Sequence, residues 1–244
     1  MRPAKMKILG TSLTSCHSSL LSLLDLYEKI MAKRIAVVGA TGGLGQEIVR
    51  LSAAAGYEVI AVVRDAVKAK NLFESLAGVR IAPADLSSGE GLTEAFAGAQ
   101  VVVEVVANTE RPHNIQNIVS KCETTGVSVF VACGGAGQLF IDPERSKRLV
   151  TVLETMPNME WVRPVTDLHM AVQEIAFKSG IPTVFQITPP GMSSGSLTGE
   201  FKASKDMAAG VNSLSYQDVA SVLLDSLKDA PFFDRAMMGL AAKS

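Results

Sequence analysis

The sequence predicts a single three-layer α/β domain on a doubly wound parallel sheet, and three observations predict it. From residue 33 onward, apolar runs of strand length alternate with helical patterns. The runs are continuous rather than alternating, as strands buried on both faces require. The first of them leads into Gly39-Ala40-Thr41-Gly42-Gly43-Leu44-Gly45, with glycines spaced G-x-x-G-x-x-G, and a helical pattern follows at once. Strand, tight turn and helix in that order offer unpaired backbone N–H groups and a positive helix end to a diphosphate. Gly39 permits the turn, Gly42 lets the backbone approach the phosphates, and Gly45 lets helix and strand pack closely.

The elements follow in order. Strands are expected at 35–38, 58–63, 79–81, 101–106, 128–132 and 183–187, and helices at 43–55, 66–76, 90–97, 113–124, 145–155 and 167–179. Repeated βα units of this length with right-handed crossovers give the Rossmann arrangement. A Pro189-Pro190 turn ends the sixth strand, and the segment at about 190–212 reads as a substrate loop beyond a carboxyl strand end. A last helix at 216–228 carries Val219, Val222, Leu223 and Leu227 on its apolar face, with Ser215 as its cap.

Composition narrows the function classes. A hydrophobic fraction of 48% supplies a large core, and a net charge of −1 gives no case for nucleic acid or an anionic membrane. Cys16, Cys122 and Cys133 are widely spaced without a CxxC, which reads as reduced thiols in an intracellular, cytoplasmic protein. His17, His113 and His169 show no ligand spacing, so no metal is expected. Residues 1–32 stand apart from the α/β pattern, and two readings stay open: a non-essential extension, or a leader for organellar targeting. Their apolar run is too interrupted for a membrane span. A domain of this size is expected as a monomer or homodimer.

The residue after the second strand selects the nucleotide. An NAD site commonly places a carboxylate there for the ribose hydroxyls. This chain has Arg64, whose planar guanidinium suits a 2′-phosphate, and Lys68 adds a second positive charge, so NADP(H) is expected. Asp65 falls one position late and starts the next helix. Asp85-Leu86 after the third strand is placed at the adenine, and Ala107-Asn108 after the fourth beside the nicotinamide ribose.

The glycine turn, Val62-Val63-Arg64-Asp65 and Ala84-Asp85-Leu86 together resemble the atypical short-chain dehydrogenase/reductase group, NmrA-like proteins included. Val131-Ala132-Cys133, Val165 to His169, Ser179-Gly180-Ile181, Pro189-Pro190 and Leu197 to Phe201 sharpen the resemblance to the biliverdin-IXβ reductase/flavin reductase family. It covers about residues 33–230. The resemblance implies an NADPH-dependent reductase of flat conjugated molecules with an open substrate site. It also implies that Thr41, Gly42, Gly43 and Leu44 hold the diphosphate, that Arg64 and Lys68 hold the 2′-phosphate, and that Cys133, Gly134, Pro189 and Pro190 border the nicotinamide. The chain departs from the family at Gly134-Gly135, where a hydroxyl residue is common, at Gly191, where a histidine can stand, and by an insertion between Asp142 and Val165.

Ordinary carbonyl reduction uses a YxxxK pair, but Tyr27, Tyr57 and Tyr216 are followed four residues later by Met31, Ala61 and Ala220. A conjugated acceptor delocalises incoming charge and takes its proton from water, so it needs orientation more than an acid. His169 and Cys133 are the remaining catalytic candidates. The expectation is hydride transfer to a flavin-like, quinone-like or other conjugated small molecule. The alternative is an NADP(H)-binding redox sensor without turnover.

Overall fold

The computed structural model describes residues 34–227 and 233–243. All described residues lie in one unit, Lys33–Ser244. The extension or leader at 1–32, with Cys16 and His17, lies outside the described residues, as does Lys228 at the expected end of the last helix.

Six strands stand where apolar runs predict them: β1 (Arg34–Val38), β2 (Glu58–Val63), β3 (Val79–Pro83), β4 (Val101–Glu104), β5 (Val129–Cys133) and β6 (Thr183–Thr188). They pair in parallel in the order β3-β2-β1-β4-β5-β6. The crossovers between the first five strands carry α1 (Gly43–Ala54), α2 (Ala66–Phe73), α3 (Leu92–Phe96) and α4 (Arg111–Thr125). Because β1 is flanked by β2 and β4, the chain leaves it in opposite directions, opening a crevice above the carboxyl ends of β1 and β4. Ile35, Ala36, Val37 and Val38 are fully buried, so the strand that feeds the glycine turn is held from both faces.

The sheet is not wholly parallel. Beyond β6 it continues with β10 (Ala236–Ala242), parallel to β6, and ends on β8 (Phe201–Lys205), antiparallel to β10. Neither strand is expected from the sequence. Ala-Met-Met-Gly-Leu-Ala-Ala lacks β-branched residues, and tertiary pairing overrides its helical propensity. A small parallel ladder joins β7 (Met192–Ser193) to β9 (Leu214–Ser215), pinning both ends of the loop after β6.

Three boundaries move for identifiable reasons. The helix expected at 145–155 contracts to α5 (Val150–Leu153), because the Asp142 carboxylate accepts from the backbone N–H of Ser146 (2.9 Å) and Lys147 (2.7 Å) and holds a turn there. α6 (Val162–Phe177) starts before 167, since Pro164 falls in the first turn, where its missing N–H costs nothing. β4 stops at Glu104, whose carboxylate turns back to accept from Val106 N–H at 2.9 Å. α7 (Tyr216–Ser226) begins at the expected cap, with Ser215 Oγ accepting from Asp218 N–H at 2.9 Å.

Candidate functional site

The crevice holds two cavities that share Leu44, Val105, Val106, Ala107 and Met192. The first, about 560 Å³, runs along the glycine turn to the end of β2. Gly39, Thr41, Gly42, Gly43, Leu44, Arg64, Asp85, Leu86, Ala107 and Asn108 all line it. Gly45 lies behind this wall: a Cβ there would come 2.2 Å from the Gly39 carbonyl oxygen, so glycine alone lets α1 sit on the turn. Gly39 itself has φ +87°, the left-handed conformation that sends the chain back over the strand end. α1 has no side-chain cap and no acid in its first turn, so its leading N–H groups and positive end face the cavity uncompensated.

Arg64 is exposed, forms no ion pair among the described residues, and borders the far end of this cavity. Lys68 does not line it. Its backbone N–H is taken by the Asp65 carboxylate at 2.9 Å, the helix-starting role expected of Asp65. Asp85 is on the wall, but its Oδ1 accepts from the Ser87 hydroxyl (2.6 Å) and backbone N–H (2.8 Å), which with Arg64 nearby holds the carboxyl below its ordinary range. That oxygen is committed to its own turn, leaving Oδ2 for a ligand. Leu86 is held in place by Asn117, whose amide donates to the Leu86 and Ser87 carbonyls at 3.0 and 2.9 Å.

Two further residues of this cavity escape the sequence reading. Asn114, on the first turns of α4, is buried, lines the cavity, and its Oδ1 has no partner. A buried amide oxygen left unpaired costs roughly 1–3 kcal/mol, which a donor from a bound molecule would recover. Tyr216 comes from the start of α7 and lies so close to Gly43 that a Cβ there would approach its ring to 2.6 Å. A nicotinamide dinucleotide fits this set: N–H groups and a helix end for a diphosphate, a free guanidinium at one end, and an orphaned acceptor between.

The second cavity, about 520 Å³, is apolar. Cys133, Gly134, His169, Pro189 and Pro190 meet there, although they come from three separate segments. Neither catalytic candidate is in the protonation state its role needs. Burial pushes the Cys133 thiol up to about 12, so no thiolate forms near neutrality. Burial, aided by Arg111, pushes His169 down to about 4, leaving a neutral ring with no proton to give. The Gly134-Gly135 departure also has a cause. A Cβ at 134 would meet Gln138 Oε1 at 2.3 Å, and one at 135 the His169 ring at 2.8 Å. Those two side chains fill the space a hydroxyl residue would take.

Beneath both cavities lies a buried ion pair. Arg111 Nη2 stands 2.5 Å from Glu104 Oε2, its Nε donates to Oε1 at 3.0 Å, and it also donates to the Cys133 carbonyl. An acid ending an apolar strand, with an arginine seven residues on, is the signal that could have found it.

Residues 39–230 match the model of the NAD(P)H-binding family. The chain belongs to that family. Among relatives of this NAD(P)H-binding protein, uncharacterized protein YwnB of Bacillus subtilis is 27% identical over 210 residues, 80% of this chain and 92% of that one. An NAD(P)H azoreductase of Xenophilus azovorans is 37% identical over 106 residues, 42% of this chain, and the match spans only 36% of the azoreductase. In fold, the anaerobillin reductase ChuY of Escherichia coli superposes with a TM-score of 0.72 at 17% identity, covering 86% of this chain and 98% of ChuY. Among the described residues, no helix of the NAD(P)H-binding protein is long and apolar enough to cross a membrane.

Proposed function

We propose that this NAD(P)H-binding protein is an NADPH-dependent oxidoreductase that reduces a flat conjugated acceptor of flavin or quinone type. The observation that carries the reading is the pair of joined cavities, one built for a dinucleotide and the other apolar, meeting at Leu44, Ala107 and Met192. The names of the azoreductase and of ChuY support a reductase of conjugated molecules. NADPH, when bound, supplies the hydride. The chain's own share is to bind and orient. The glycine turn and α1 hold the diphosphate, Arg64 takes the 2′-phosphate, and Asn114 Oδ1 accepts from a ribose or adenine donor. Cys133, Gly134 and the Pro189-Pro190 turn border the ring, and the apolar walls exclude water from it. With His169 neutral and Cys133 protonated, the acceptor's proton comes from solvent.

The buried thiols Cys122 and Cys133, both free, support a reducing intracellular compartment, the cytoplasm in this reading. The second reading, an NADP(H) sensor without turnover, is favoured by the lack of an acid at His169 and Cys133. Two measurements test these assignments. NADPH absorbance is followed with flavin mononucleotide, a quinone and a linear tetrapyrrole as acceptors; tight binding with no consumption in all three selects the sensor. In equilibrium titration, Arg64→Ala weakens NADPH by about tenfold or more and NADH by less than about threefold. Equal loss for both cofactors overturns the 2′-phosphate assignment.

A further inference from the structure

Part of the lining of the second cavity comes from the inserted segment. Met159 and Trp161 come from the stretch before α6, and Val165 from its first turn. Val211 and Met192, from the segment after β6, line the same cavity. Trp161 is 59% exposed, Val165 37% and Val211 60%, so apolar side chains that line this cavity also reach water. Arg111 is the one lysine, arginine, aspartate or glutamate among the lining residues, and its guanidinium is taken up by Glu104 and the Cys133 carbonyl. Thr166 and Ser213 supply hydroxyls, and the partly buried His169 ring packs against Gly135.

We propose that this cavity takes an uncharged fused-ring acceptor stacked against Trp161, and discriminates against acceptors bearing phosphate, sulfonate or carboxylate groups. An anion brought into these walls loses water and meets no free cation, the costly case of an unpaired buried charge. A quinone asks less. Its carbonyl oxygens need only neutral donors, which the Thr166 and Ser213 hydroxyls provide, and its rings offer a face to the indole. The inference rests on the reductase reading for its redox step, which balances: quinone, NADPH and one proton from water give hydroquinone and NADP⁺. Flavin mononucleotide, with its phosphate, and a linear tetrapyrrole, with its propionates, are disfavoured on this account although both are flat and conjugated.

The test compares 2-(hydroxymethyl)anthraquinone with anthraquinone-2-sulfonate by calorimetric titration of the full chain. Emission of Trp161, the chain's only tryptophan, is recorded alongside. The neutral quinone binds about tenfold or more tighter and quenches that emission saturably. Val165→Lys, at an exposed lining position where a lysine can reach water, closes the gap to within about threefold, and Val211→Lys, from the loop after β6, repeats the test. Trp161→Ala weakens the neutral quinone about fivefold. Equal affinity for the two quinones, no response to either lysine, or no binding at all overturns the proposal. Neutral quinone bound without NADPH oxidation sinks the reductase reading and leaves this one standing. Equal turnover of both quinones does the reverse.

Discussion

His169 is where a single side chain most affects how this protein responds to acid. Its ring, carried by α6, lies partly buried against Gly135, and desolvation, with Arg111 adding repulsion, lowers its pKa to about 4. The unfolded chain takes up a proton near the ordinary histidine value of about 6.5, while the folded chain refuses it until about 4. The contribution is therefore fully present above about pH 6.5 and declines as pH falls toward 4, by about 3 kcal/mol at most. Urea unfolding at about pH 7.5 and about pH 4.5 should show this, with His169→Gln losing most of the difference. Equal slopes in both proteins would count against it. The sequence offers His169 as a catalytic candidate because it falls near the start of an expected helix, within reach of the site. It could not show the burial that keeps the ring neutral, since that depends on Gly135 arriving from another strand end.

The element that most needs an anchor is the loop between β6 and α7. The Asp218 carboxylate, on the first turn of α7, accepts from the N–H groups of Thr198 (2.8 Å) and Gly199 (2.9 Å) and from the Ser215 hydroxyl (2.7 Å). Burial works to raise its pKa, but these hydrogen bonds win and lower it. The tie is present above the ordinary carboxylate range and is lost as pH falls through the lowered value. Asp218→Asn should speed amide exchange at Thr198 and Gly199 by about tenfold or more while the β1 amides stay protected. Unchanged exchange at those two positions would refute the anchor. Ser215 was legible as the cap of the last helix, because capping is local. β8 and β10 were not. β10 pairs with β6 and β8 with β10, each set by partners distant in sequence or by the sheet edge they complete, and the Ala and Met of β10 carry no strand signal of their own.

For the molecule as a whole, the dinucleotide cavity draws on β1, α1, the end of β2, the start of α4 and Tyr216 of α7, so a bound cofactor bridges both halves of the sheet. Ligand at about a hundredfold its Kd adds about 2.7 kcal/mol, which for a domain of this size raises Tm by roughly 5–10 °C. NADPH should do this in thermal unfolding, and Arg64→Ala, at the same ligand concentration, should remove about half of the gain or more. A wild-type Tm indifferent to saturating NADPH would contradict the site. The cofactor half was readable because a strand, three glycines and a basic residue lie within one stretch of chain. The second cavity was not, because its walls converge from β5, the inserted segment and the loop after β6. The Glu104–Arg111 pair, fastened to the Cys133 carbonyl, joins the carboxyl ends of β4 and β5 beneath that cavity. Separating those strands would strand two opposite charges in a dry interior, at roughly 3–5 kcal/mol for a broken pair. The floor of the crevice is thus rigid by charge, and breathing that admits or releases an acceptor belongs to its rims, the stretch around Trp161 and the loop carrying Val211.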